Sequence, residues 1–220
     1  SNAASFNTAV GTYSLGSITT GGVNVAIGHD AGFGITTGSG NISIGVDTML
    51  VGSVNARGNV VIGDRAAQNI NRNDNVIIGA TAGSSLISGT NNILLGQLSN
   101  VSGFADSGAV AIGSSTVVGQ SSIAIGDSAT AIADSIAIGA TAIAAAPNSI
   151  ALGRFSSAAN PNTININVSG GAGPVANGGM VAVPVGAALP PLGVGPGDMY
   201  VVTGVTLPTS PFPCSVVCIV

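Results

Sequence analysis

The sequence predicts an all-β chain wound as a parallel solenoid of about ten short coils, and three observations carry that prediction. The first is a glycine that closes a short apolar stretch at near-constant spacing: Gly11, Gly28, Gly45, Gly63, Gly79, Gly96, Gly113, Gly126, Gly139 and Gly153. Successive steps in numbering are 17, 17, 18, 16, 17 and 17, then 13, 13 and 14. A period of this size marks a repeat architecture in which each coil is stable only against its neighbours. The second observation is the five-residue unit that ends on each glycine, and the third is a composition rich in branched aliphatics and poor in charge.

The unit runs polar, β-branched, variable, aliphatic, Gly. Asn24–Gly28 (NVAIG), Asn41–Gly45 (NISIG), Asn59–Gly63 (NVVIG) and Asn75–Gly79 (NVIIG) are examples, as are Ser122–Gly126 and Ser135–Gly139 (both SIAIG) and Ser149–Gly153 (SIALG). Side chains alternate across a strand, so aliphatics two apart share a face. One face therefore carries Val25 with Ile27, Ile42 with Ile44, Val60 with Ile62, Val76 with Ile78 and Ile93 with Leu95. It continues through Val110 with Ile112, Ile123 with Ile125, Ile136 with Ile138 and Ile150 with Leu152. The closing glycines are read as turn residues, because a coil this short must bend where only glycine takes positive φ cheaply.

Three residues past the glycine a small residue recurs: Ala31, Ala66, Ala82, Ala129, Ala142. It reads as the start of a second short strand close to the coil axis. In the longer coils Gly21, Gly38 and Gly89 sit seven before their closing glycines and read as an added turn or surface loop. Asn heads the strand at 24, 41, 59, 75 and 92, which suits either a turn or a stacked amide ladder; Ser takes that place at 122, 135 and 149.

Domain organisation follows the period. Residues 1–3 read as an expression-tag remnant. The roll covers 4–158, with 16–18-residue coils to Gly113 and 13–14-residue coils to Gly153. Residues 159–220, rich in Pro and Gly, read as a small C-terminal β cap. Its strand candidates are Asn162–Val168, Met180–Val185, Met199–Val205 and Ser215–Val220.

A coil of the shorter kind buries too little to offset about 1–2 kcal/mol of backbone entropy per residue. One chain alone would leave its aliphatic stripe in water, and contiguous apolar patches mark interfaces. Three parallel rolls sharing that stripe would bury it, so a homotrimer is expected; the competing arrangement is a monomeric triangular β-helix.

Charge excludes several functions. The chain has four Lys+Arg, all of them Arg, against eight Asp+Glu, all of them Asp, for a net charge of −4. Nucleic-acid binding needs clustered cations and is not expected, nor is attraction to an anionic membrane. The apolar run Met180–Val194 is broken by Pro184, Pro190 and Pro191, so no membrane helix is read.

Catalytic, cofactor and metal sites are not expected. His29–Asp30 reads as a surface polar pair rather than a dyad. Asp30, Asp47, Asp64 and Asp127 follow closing glycines and read as turn formers, since the calcium-binding nonapeptide is absent. Gly32-Phe33-Gly34 with Gly38 is a poor dinucleotide fingerprint without βαβ units. Cys214 and Cys218 read as buried thiols, with interchain disulfides as the other reading. Sequons at Asn41, Asn100 and Asn167 are expected by chance, and Thr19–Thr20 with Thr36–Thr37 is too short a row for an ice-binding face. A monomeric carbohydrate-active helix would want carboxylate clusters and aromatic platforms; the chain has no Trp and two Tyr.

Residues 122–153 resemble the head repeats of trimeric autotransporter adhesins of the YadA type, in the SIAIG strand, the following A-x-A and the 13–14-residue period. Residues 7–119 resemble the longer variant of these repeats, which also occurs in fibre-like proteins of phages and large viruses. The resemblance implies a trimeric left-handed parallel β-roll on a cell or virion surface, extracellular, binding a host or matrix ligand without catalysis.

Overall fold

The computed structural model describes residues 4–103, 107–132 and 134–167, with the backbone of Val183–Pro184, Val201–Val202 and Val216–Val217. The chain forms two compact units, Ser1–Val185 and Gly186–Val220. The first is a parallel β-solenoid. Its main sheet takes one strand from each coil: β1 (Thr8–Val10), β2 (Val25–Ile27), β3 (Ile42–Ile44), β4 (Val60–Ile62), β5 (Val76–Ile78) and β6 (Ile93–Leu95) come first. A second sheet begins with β7 (Asn100–Val101) and β9 (Val117–Val118), between which β8 (Val110–Ile112) continues the first. Thereafter the sheets alternate: β10 (Ile123–Ile125), β12 (Ile136–Ile138), β14 (Ile150–Leu152) and β16 (Thr163–Ile166) in the main sheet, β11 (Thr130–Ala131), β13 (Ile143–Ala144) and β15 (Ser157–Ala158) in the second. No helix occurs among the described residues, so none there is long and apolar enough to cross a membrane.

Register is strict. Val25 pairs Ile42, Ile42 pairs Val60, Ile123 pairs Ile136 and Ile136 pairs Ile150, each like residue above like. The middle residue of each strand turns inward. Ala26, Ser43, Val61, Ile77, Leu94, Ala111, Ala124, Ala137 and Ala151 are all fully buried. A one-residue slip would turn these out and the flanking aliphatics in, which is why the pattern specifies a single register.

The small residues three past the glycine are buried on the coil axis at 31, 66, 82, 129 and 142. The strand expected to start there forms only from Gly96 onward. In the earlier coils the next position, four past the glycine, is Leu15, Gly32, Met49, Ala67 or Gly83, each with φ between +44° and +67°. A left-handed residue bends the chain rather than extending it. In the later coils that position is Asn100, Val117, Thr130, Ile143 or Ser157, the first residue of each second-sheet strand. Val117, Thr130 and Ile143 are β-branched, a class that prefers extended backbone. The long coils are therefore wider and need larger fillers: Leu15, Ile35, Met49, Ile70 and Leu86 are buried there.

Gly21, Gly38 and Gly89 correct the surface-loop expectation, since all three are buried. A Cβ on Gly21 would lie 2.0 Å from the Gly38 carbonyl oxygen, and one on Gly38 2.2 Å from that of Ala56. Backbones of successive coils meet there with no room for a side chain.

At its far end the main sheet receives an antiparallel strand, β17 (Val183–Pro184), on β16, with Ile164 opposite Val183. In the second unit β18 (Val201–Val202) pairs antiparallel with β19 (Val216–Val217). These fall within three of the stretches read as C-terminal strands; the cysteines at 214 and 218 lie outside the described residues.

Candidate interaction surface

The flanking aliphatics of β2 to β14 form two unbroken rows on the outer face of the main sheet. None of those side chains is buried. Ile27, Ile78, Ile93, Ile112 and Ile138 are 37–40% exposed although each is stacked between like neighbours. Ile164 and Ile166 prolong the rows by one coil through their pairing with Ile150 and Leu152. Inside the sheet the core is sealed; outside it a stripe of Val, Ile and Leu runs nine coils, roughly 40 Å at the inter-strand spacing of a sheet. Monomeric proteins rarely leave so long a continuous apolar stripe in water.

Two further stacks accompany the rows. The closing glycines from Gly11 to Gly153 take φ between +101° and +142°, a region open to glycine alone. A Cβ on Gly28, Gly79 or Gly96 would lie 2.2–2.3 Å from the next closing glycine's carbonyl oxygen.

Beside them runs an amide ladder. Asn24 donates its backbone N–H and its Nδ2 to Asn7 Oδ1 at 2.9 and 3.1 Å. The same pair of bonds joins Asn41 to Asn24, Asn59 to Asn41, Asn75 to Asn59 and Asn92 to Asn75, all at 3.0 or 3.1 Å. Each Nδ2 also ties down a turn carbonyl: Gly38 for Asn24, Ala56 for Asn41, Arg72 for Asn59, Gly89 for Asn75. The ladder reading of the repeated Asn thus holds, and the turn reading holds with it. At Ala109 the ladder stops, its N–H on Asn92 Oδ1 at 3.0 Å. The serines that follow make one rung of another type, Ser135 N–H on Ser122 Oγ at 3.1 Å, and also bond turn carbonyls, Ser135 Oγ to that of Ile132 at 2.5 Å and Ser149 Oγ to that of Ala146 at 2.6 Å.

Removing one rung exposes the ladder's worth. Asn59→Ala takes the Oδ1 acceptor from the buried Asn75 N–H and Nδ2, and the side-chain donor from the Arg72 carbonyl. We expect a loss of about 3 kcal/mol, read as a lower denaturant midpoint at unchanged slope, from a cost of about 1–3 kcal/mol per orphaned group.

The polar pair His29–Asp30 gains a third member from the coil above. His29 Nδ1 lies 3.1 Å from Asp30 Oδ2 and 4.0 Å from Asp47 Oδ1, and the Tyr13 ring stands edge-on to the imidazole at 6.2 Å. Among the described residues this is the group with metal-ligand atoms gathered within 4.8 Å. Asp64 instead pairs with Arg65, Nη2 to Oδ2 at 3.0 Å, so the four turn aspartates do not form one row of ligands. Asn41 and Asn167 are buried, and the partly exposed Asn100 donates its Nδ2 to the Ser84 and Ser85 hydroxyls. Gly32 to Gly34 form part of a turn.

The repeat that made these surfaces legible has a known counterpart. Residues 118–135 and 133–156 each match the YadA head domain repeat. No curated protein matches the chain. Both matched stretches fall on the short coils, where the S-I-A-I-G strand, the buried alanine and the second-sheet strand recur together. Residues 118–156 of this chain are YadA-like head repeats.

Proposed function

We propose that the chain is a non-catalytic, homotrimeric surface fibre or head module, displayed outside the cell or on a virion and adhering to a host or matrix ligand through its roll surface or C-terminal region. The observation that carries this reading is the pair of aliphatic rows outside an already sealed core. Val25 with Ile27, Ile42 with Ile44, Val60 with Ile62 and their successors through Ile150 with Leu152 have the chemistry of a core and no core to face. A narrow stripe, one strand wide and in register from coil to coil, suits parallel copies gathered on a shared axis. The YadA-type repeats at 118–156 favour three copies.

Adhesion is supported by that repeat and by a chain with few charges. The test is binding of the fluorescently labelled chain to collagen, laminin and fibronectin surfaces and to epithelial monolayers. Saturable binding above an albumin surface, abolished when the rows are broken by Ile125→Asp, is the expected result. Binding no greater than to albumin on every surface would overturn the adhesive role.

A further inference from the structure

We propose that His29, Asp30 and Asp47 form a zinc-binding site that clamps two successive coils of the roll. Asp30 and Asp47 each stand two residues past a closing glycine, Gly28 and Gly45, so stacking sets one carboxylate above the other at the same coil position. Like charges at the inter-coil spacing of about 4.8 Å repel. One coil further on, Asp64 has the Arg65 guanidinium 3.0 Å away. Among the described residues no guanidinium lies within 4.0 Å of Asp30 or Asp47. The basic group beside them is the His29 imidazole, its Nδ1 3.1 Å from Asp30 Oδ2 and 4.0 Å from Asp47 Oδ1. An imidazole carries full charge only in acid, and when neutral it is a metal ligand. The stacked carboxylates therefore call for a cation, and a nitrogen donor stands with them.

The geometry suits zinc. All three ligand atoms lie within 4.8 Å of one another. Donors about 2.0–2.2 Å from a tetrahedral Zn²⁺ stand about 3.3–3.6 Å apart, so a small turn of the Asp47 side chain closes the set on the ion. The backbone beneath is pinned coil to coil: Asp30 N–H donates to the Thr12 carbonyl and Asp47 N–H to the His29 carbonyl, both at 3.0 Å. Ligands mounted on a pinned backbone lose little freedom on binding. The mixed donor set separates the candidate ions. Ca²⁺ and Mg²⁺ take oxygen ligands, whereas imidazole with carboxylates is a zinc set. His29 is half exposed and both carboxylates are partly so, which leaves the fourth position to water. All three ligands belong to one chain, so the site does not depend on how many copies assemble.

The test is a Zn²⁺ titration of the full chain carrying Cys214→Ser and Cys218→Ser, since thiolates compete for the metal. His29 is the chain's one histidine, so after selective histidine labelling a single imidazole reports binding by NMR. The expected result is a saturable shift at one Zn²⁺ per chain with Kd below about 100 µM, weakened about ten-fold or more in Asp47→Asn. Asparagine accepts the left-handed geometry of Asp47, at φ +53°, and removes the charge. No shift up to about 1 mM Zn²⁺, an equal response to Ca²⁺, or the same Kd in Asp47→Asn overturns the proposal. Should Asp47→Asn fail to fold, the melting temperature decides: Zn²⁺ must raise it in the parent and not in His29→Ala, and an equal rise, or none, in both contradicts the site.

Discussion

An Ile125→Asp, Ile138→Asp double variant is expected to run as a single chain or to lose its fold, rather than as the assembly. Each substitution sets a carboxylate on the outer face of the main sheet, where the structure shows aliphatic neighbours above and below at Ile112 and Leu152. In a monomer these positions meet water, and Ile138 is already 40% exposed, so the changes would cost little. In a seam shared by three copies, six carboxylates would be forced into an apolar, water-free column. An unpaired buried charge costs several kcal/mol, and the effect multiplies with symmetry. Sedimentation with far-UV circular dichroism reads the outcome. A variant that keeps both the mass and the melting temperature of the parent would show that the rows face solvent in the working protein.

The second large effect concerns the glycine stack. Gly79→Ala is expected to destabilise by about 4 kcal/mol or more, combining a φ of +142° that alanine does not tolerate with a Cβ 2.3 Å from the Gly96 carbonyl oxygen. The control is Gly108→Asn. Gly108 has φ +67°, a Cβ placed on it would meet no atom nearer than 4.0 Å, and its counterparts in other coils are Asp74, Asn91, Ser121, Asp134 and Asn148. Asparagine accepts that left-handed geometry, so the change should stay within about 0.5 kcal/mol. Denaturant midpoints for the two variants measure the contrast. Equal losses would mean that backbone crowding between coils does not hold the roll together.

How much of this was legible beforehand follows from what repeats. The closing glycines and flanking aliphatics recur at fixed offsets, so strand position, face and register could be read directly. The Asn row was legible as a ladder because identical side chains recur at one strand position. What escaped was set by backbone conformation or by stacking between coils. The switch from turn to second strand rests on one residue, four past the glycine, where Ala67 and Thr130 look equally ordinary in sequence yet take opposite conformations. Gly21 and Gly38 looked like loop residues because crowding from the next coil leaves no mark of its own in composition. Asp47 joins His29 only because successive coils stack; the two are well separated in sequence, and neither has a motif around it. Ile164 and Ile166 extend the rows without a closing glycine, so the signal that located the other strands was missing there.

The most direct test of the shared seam is the absolute mass of the unaltered chain in dilute solution by light scattering. The predicted result is three times the 20.9 kDa of one chain. A stable, folded species of one or two chain masses, with the aliphatic rows open to water, would contradict it.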